Sequence, residues 1–245
     1  MIIQIKEEIA MDKNILIYNL NCKVYLLQNI ELINMLKEIS HMVDVALCST
    51  DTMIKFHEEN QFKNYCISGF KEIERDRIYK EGKVYNFSIR CISKEFTEFL
   101  CRQLSKADTS TMKGLVCDYK VIPHMYIDRL YTVTPAVVQI QERGYWRNKI
   151  TIDEYERLLF ENSVKKYNSI TGDRLDENFK LYDTITFLNK VPVKTNYKSI
   201  QLLGDKVELT INSDERAQAV AYMLLGVAMG CRNSRGYGFV NYRTQ

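Results

Sequence analysis

Gly226-Val-Ala-Met-Gly230-Cys-Arg-Asn-Ser-Arg-Gly236-Tyr-Gly238-Phe-Val240 is the stretch on which the reading of this chain turns. A helical pattern runs into it and a short apolar strand pattern leaves it, so a glycine-rich loop joins a helix to a strand. Glycines let backbone approach a ligand closely and present unobstructed N–H groups. Arginines supply forked donors that match phosphate geometry. From Arg216 to Gln245 there are four arginines and no acidic residue. Such a basic lobe suggests a polyanion, RNA or DNA ahead of a small nucleotide. Two nucleotide motifs are excluded. No Gly-Lys-Ser/Thr occurs anywhere in the chain, which removes the Walker loop. A dinucleotide fingerprint runs strand, glycines, helix, and here that order is reversed.

Upstream of the loop, Ser213, Asp214 and Glu215 put acceptors and negative charge where a helix begins. Ala217, Val220, Ala221, Leu224 and Ala228 then recur at helical spacing. Residues 187–203 and 206–211 read as extended, with Gly204-Asp205 as a tight hairpin turn between them. Thr151-Ile-Asp-Glu154 is a capping box opening a helix that carries Ile152, Tyr155, Leu158 and Leu159 on its apolar face. Residues 130–140 read as the strand before it and 237–242 as the strand after the loop.

The first half has the same grammar. Residues 14–27 read as extended chain, and 31–47 as a helix with Leu32, Met35, Leu36, Ile39, Met42, Val43 and Ala46 on one face. Residues 65–70 and 84–91 read as strands joined by a charged excursion through Glu81-Gly82. Ser93 caps a short helix bearing Phe96, Phe99, Leu100 and Leu104, and residues 112–121 form the closing strand. Strand, helix, strand, strand, helix, strand is the ferredoxin-like order. The predicted fold class is α+β: tandem ferredoxin-like (RRM-like) βαββαβ units over 1–125 and 126–245, with the glycine-rich loop near the C-terminus.

Composition bounds the rest. Apolar residues make up 46% of the 245, enough for a core, and a net charge of +3 means that any nucleic-acid site needs local clustering. Three prolines and ten glycines argue against disorder. The seven cysteines are scattered, with no Cys-x-x-Cys pair, and read as reduced thiols rather than disulfides or a zinc site. The start carries acids without a signal-peptide core, and no long apolar run offers a membrane span, so a soluble cytoplasmic protein is expected.

With the double unit and the loop in place, the chain resembles the CRISPR-associated endoribonucleases of the RAMP superfamily that cut repeat RNA into guide RNAs. That family's loop reads Gly-hydrophobic-Gly, five residues including a basic one, then Gly-hydrophobic-Gly. Here Gly230 precedes Cys231-Arg232-Asn233-Ser234-Arg235, and Gly236-Tyr237-Gly238 closes them. The first glycine of the pattern is Ala228 in this chain, read as a helix that continues a little further. The segment from Phe56-His57 through Phe62-Lys63 to Ser68 resembles the family's region between first helix and second strand, and Glu81 to Arg90 resembles its third strand.

The resemblance implies a chemistry without metal or cofactor. A 2′-hydroxyl attacks its adjacent phosphate, leaving a cyclic phosphate and a 5′-hydroxyl. This needs a base, a proton donor and positive charge for the phosphorane. Histidine suits either proton role. Of His41, His57 and His124, the resemblance selects His57 as acid or base, with Lys63 stabilising charge or assisting the leaving group. His41, on the polar face of the first helix, is a further catalytic candidate, and His124 reads as a loop residue or an RNA contact. Expected RNA contacts are Arg232, Asn233, Ser234, Arg235, Gly236, Tyr237 and Gly238. The implied partner is CRISPR repeat RNA, with other effector-complex subunits or a second copy of the chain as further partners, and no membrane. Two other readings stay open. One is a non-catalytic RNA-binding subunit of a CRISPR effector complex; the other is an unrelated α+β domain that binds a small anion.

Overall fold

The computed structural model describes residues 15–49, 62–140 and 144–244. The first half contributes β1 (Ile17–Leu26), β2 (Ile30–Glu31), α1 (Met35–Leu47), β3 (Tyr65–Phe70), β4 (Ile78–Tyr79), β5 (Val84–Cys91), α2 (Lys94–Leu104) and β6 (Met112–Ile122). Four of these strands form an antiparallel sheet in the order β3-β5-β1-β6. The first and third strands of the βαββαβ unit thus lie side by side at the centre, with the second and fourth at the edges. The small β2-β4 ladder closes the charged excursion.

The second half repeats the pattern. It contributes β7 (Arg129–Thr132), α3 (Ile152–Thr171), β8 (Tyr182–Phe187), β9 (Val193–Tyr197), β10 (Ile200–Gly204), β11 (Val207–Ile211), α4 (Glu215–Val227) and β12 (Val240–Arg243). Its sheet runs β12-β7-β11-β8, the same arrangement of four strands, and β9 and β10 form a separate hairpin inserted between β8 and β11.

Local chemistry sets the helix boundaries. Ser93 Oγ accepts from Phe96 N at 3.2 Å, Thr151 Oγ1 from Glu154 N at 3.2 Å, and Asp214 Oδ1 from Arg216 N at 2.8 Å. Each satisfies an N–H that the helix itself leaves unpaired. Gly172, at φ +77°, ends α3 in the left-handed conformation that favours glycine.

α4 explains how the two halves meet. Every residue from Val220 to Val227 is buried, and a helix that is apolar all round has no solvent face. It lies between the two sheets: a Cβ on Gly226 would come within 2.9 Å of Ile92 and 3.3 Å of Ile17. Arg90 on β5, 6% exposed, ties the same junction. It donates to Asn19 Oδ1 (3.0 Å) on its own sheet and to Val240 O and Asn241 Oδ1 (both 2.6 Å) on β12, and it lies 4.5 Å over the Phe239 ring.

Several expectations are corrected. The strand expected over 130–140 stops at Thr132; beyond it the chain bends at Val133 and Thr134, and the N–H and C=O groups of Ala136 pair with Asp205. The hairpin turn is at Lys198-Ser199, with Tyr197 opposite Ile200, rather than at Gly204-Asp205. Gly204 ends β10 instead, and the position needs a glycine because a Cβ there would come within 2.6 Å of Ala136 O. β8 adds a strand that the sequence does not announce, because Tyr182-Asp-Thr-Ile-Thr-Phe187 carries no residue that the structure fully buries. Ile152 is exposed at the start of α3 while Tyr155 and Leu159 are buried. Helix α1 starts at Met35, after a single 3-10 turn over Leu32–Asn34. The last strand starts at Val240 rather than at residue 237.

Candidate nucleic-acid interface

The loop between α4 and β12 alternates in backbone handedness. Ala228, Gly230, Arg232, Gly236 and Gly238 have φ of +60°, +68°, +62°, +87° and +70°, around a 3-10 turn over Asn233–Arg235. Ala228 corrects the expectation of a longer helix. Its ψ of 172° puts it in a region that only glycine occupies without strain, so α4 stops at Val227 and alanine holds a glycine's conformation.

The glycines serve packing rather than an open cradle. A Cβ on Gly238 would sit 1.9 Å from Met229 O, one on Gly230 2.6 Å from Val137 O, and one on Gly236 2.9 Å from Leu36 of α1. The N–H groups of Gly236 and Gly238 are given to Asn233 O and Pro135 O. Of the expected RNA contacts, Asn233, Gly236, Tyr237 and Gly238 are buried, Ser234 and Arg235 half-buried, and Arg232 exposed.

Beneath the loop lies a residue the sequence reading passed over. Lys166 of α3 is 4% exposed and donates to Ala228 O (2.8 Å), Gly230 O (2.6 Å) and Asn233 Oδ1 (2.6 Å). An ammonium has three N–H donors, and all three are used. Asn233 relays the hold, donating from Nδ2 to Met229 O (3.0 Å) and Tyr237 O (2.9 Å). Burial lowers the Lys166 pKa to about 7. The signal was present: Tyr155, Leu159, Ser163, Lys166 and Tyr167 share the buried stripe of α3, so a lysine stands where helical spacing calls for an apolar residue.

The loop is braced to the first half. Tyr237 is fully buried within the core built from β1, β3, β5 and α1, and its hydroxyl meets Thr195 Oγ1 of the inserted hairpin at 2.7 Å. Arg235 pairs with Asp44 of α1, so it cross-links loop and helix instead of pointing freely outward. Beside this pair, burial pushes the Tyr65 phenol well up from its ordinary value. Asn196 of the hairpin donates to Asn34 at 2.8 Å. Arg232 lies 4.7 Å over the Tyr197 ring, a cation–π contact that holds its guanidinium at the surface.

These elements enclose a pocket of about 250 Å³ lined by Lys37, Ser40, His41, Asp44, Asn196, Tyr197, Lys198, Arg235 and Tyr237. His41, expected on a solvated face, thus shares a concave surface with the loop and the hairpin. Lys63 is half-buried, one residue after Phe62, whose ring lies 5.4 Å from Lys166 Nζ. His57 lies outside the described residues, in the segment between α1 and β3. His124 is elsewhere, stacked 3.9 Å from the Tyr222 ring with Nε2 at 3.0 Å from Ile15 O. Among the described residues no group of three or more His, Cys, Asp or Glu side chains is placed to hold a metal ion, and no helix is long and apolar enough to cross a membrane.

The family model described as CRISPR associated protein Cas6, C-terminal, matches residues 117–242. The chain belongs to the Cas6 family. Solved structures share the fold. A RAMP protein described as binding different RNA substrates superposes with a TM-score of 0.71 over 93% of this chain and 100% of its own, at 17% identity. A Cas6-related protein from Pyrococcus furiosus gives 0.65 over 93% and 98%, at 16% identity. A Thermus thermophilus Cas6 in a product complex gives 0.63 over 93% and 100%, at 11% identity. No curated protein matches by sequence.

Proposed function

We propose that this chain is a metal-independent endoribonuclease that cuts CRISPR precursor RNA within its repeats to release guide RNAs. The observation that carries the reading is the basic loop braced to α1, with Arg232 exposed beside a pocket that holds His41, Lys37 and Lys198. The substrate's 2′-oxygen attacks the adjacent phosphorus while a base takes its proton; the 5′-oxygen leaves with a proton from an acid. His57 and His41 are the candidates for these roles, and Lys63 for holding charge on the phosphorane. Arg232 and Ser234 contact RNA directly, whereas Asn233, Gly236, Tyr237 and Gly238 shape the surface and Arg235 ties it to α1. The chain divides into two domains, 1–125 and 126–245, with the RNA across their junction.

A second reading, a non-catalytic RNA-holding subunit, draws support from the commitment of Arg235 to Asp44, which leaves fewer free cations for a developing charge. One incubation separates them: the purified protein with its own repeat RNA in EDTA, beside a copy carrying 2′-deoxy at the cut nucleotide. Cleavage of only the unmodified RNA is expected. Cutting of the deoxy copy overturns the proposed chemistry, and binding without cutting favours the second reading.

A further inference from the structure

A buried lysine ammonium whose acceptors are all neutral is an unusual thing to keep in a core. Lys166 bonds two main-chain carbonyls and one amide oxygen, and among the described residues no carboxylate pairs with it. The groups facing it from other elements are the Phe62 ring before β3, the Cys66 thiol of β3 and the Cys231 thiol of the loop. A desolvated charge costs several kcal/mol unless something compensates it, and three carbonyl dipoles compensate only in part. The carbonyls it gathers belong to Ala228 and Gly230, two of the loop's left-handed positions, and to Asn233, which opens the 3-10 turn next to Arg232 and Ser234. The positive charge therefore sits beneath the loop that carries Arg232 and Ser234.

Resting on the functional reading above, we infer that Lys166 is a positioning residue for RNA binding: its ammonium fixes the loop's shape from below and attracts the phosphate seated above it. Cation and anion then reinforce each other across the loop. Phosphate stabilises the protonated lysine, and the protonated lysine strengthens the hold on phosphate. A purely structural strut would bind the loop carbonyls but leave no proton linkage to RNA. Because burial brings the lysine's pKa down to about 7, the linkage falls within an accessible pH range. Affinity should be full where Lys166 is charged and should decline as pH rises and the ammonium loses the proton that its third acceptor needs.

The test uses the full chain carrying His41→Gln and His57→Gln, so that neither histidine titrates and RNA stays intact. Fluorescence anisotropy measures Kd for the repeat RNA and for an unrelated single-stranded RNA at constant salt. Between about pH 6 and about pH 8 the affinity should weaken on the order of tenfold. Lys166→Met, close in length and neutral, should bind weakly throughout and show a flat profile. Arg232→Ala should weaken binding yet keep the slope. If Lys166→Met binds with the unchanged profile, the inference is overturned while the functional reading survives. If the parent binds neither RNA, that reading fails and takes the inference with it. Should Lys166→Met not fold, calorimetry of the parent near pH 7 in buffers of different ionisation enthalpy decides. Net proton uptake on binding supports the inference, and none overturns it.

Discussion

Residues 105–111 and residues 228–239 make the same connection in the two units, from second helix to last strand. In the first unit the step is a plain turn. Thr109 Oγ1 accepts from Met112 N at 3.1 Å, Thr109 N donates to Met112 O at 3.0 Å, and no residue takes a positive φ. Lys106 and Asp108 balance in charge. In the second unit the step uses five positive-φ positions, carries two arginines and no acid, and rests on a buried lysine. Topology therefore asks only for a short turn. What the second connection adds comes from its place, wedged between α1, the inserted hairpin and α3, and from the charge it presents.

Substitutions that strike one connection can break this contrast. The largest effect is expected from Gly238→Ala, whose Cβ would overlap Met229 O at 1.9 Å with φ at +70°. Overpacking and an unfavourable φ together should cost about 3 kcal/mol or more, read as a fall in the urea midpoint and accompanied by loss of RNA binding. Gly114→Ala, just inside β6 where the strand packs against the end of α2, is the comparable overpacking in the first unit, with Leu104 O 1.9 Å from the new Cβ. It should destabilise to a similar degree, while any protein that remains folded binds RNA normally. Loss of RNA binding in both would erase the distinction drawn here.

Ala228→Gly should move the other way. Releasing alanine from φ +60°, ψ 172° is expected to stabilise by roughly 1 kcal/mol, after allowing for glycine's larger unfolded-state entropy. A lower melting temperature would contradict the strain. Arg235→Ala and Asp44→Ala should each cost about 1 kcal/mol or less, because the pair is only partly buried, and a double-mutant cycle should show that the losses do not add. The smallest effect on stability belongs to Arg232→Ala, near zero. Its RNA affinity should fall, and the slope of log K against log salt should shrink by about 0.7 for one lost phosphate contact to single-stranded RNA.

pH sharpens the same contrast. The folded pKa of Lys166 is about 7, below the ordinary lysine value of 10.5. The unfolded chain therefore holds that proton where the folded chain has released it, and stability from this group rises as pH climbs above 7. Buried thiols act oppositely at higher pH, since burial raises the pKa of Cys66 from 9.0 to about 12. The increase should accordingly appear between about pH 7 and about pH 8.5, and Lys166→Met should lack it. An equal rise in the variant would assign the effect to another group.

Much of this architecture was legible because its signals are local. The spacing in α1, Ser93 before α2 and Thr151 before α3 each act within a few residues, and the element order gave the double βαββαβ unit. The loop was found from its glycines and arginines, but its meaning was not. That Gly236 yields to Leu36, that Arg235 meets Asp44 and that Tyr237 enters the other half's core are contacts across more than a hundred residues. No periodicity encodes such partners. The hairpin turn was misplaced for a related reason: Gly204 looked like a turn glycine, but its need comes from Ala136, far away in sequence. Lys198 makes the real turn at φ +51° without being glycine or asparagine. His41 likewise had an ordinary sequence context, and only the approach of the hairpin makes its surface concave.

The bonds from Arg90 to Val240 and Asn241 carry a consequence for timing. A ribosome makes β5 some hundred and fifty residues before the strand whose carbonyl that guanidinium needs. Until the stretch around Val240 emerges, the first sheet's buried cation lacks its partners there, and the loop has no strand to anchor its exit. A nascent chain therefore carries no assembled loop. Assembly of the junction waits for β12, and a message cut short before Val240 yields a chain whose loop has no strand to close on.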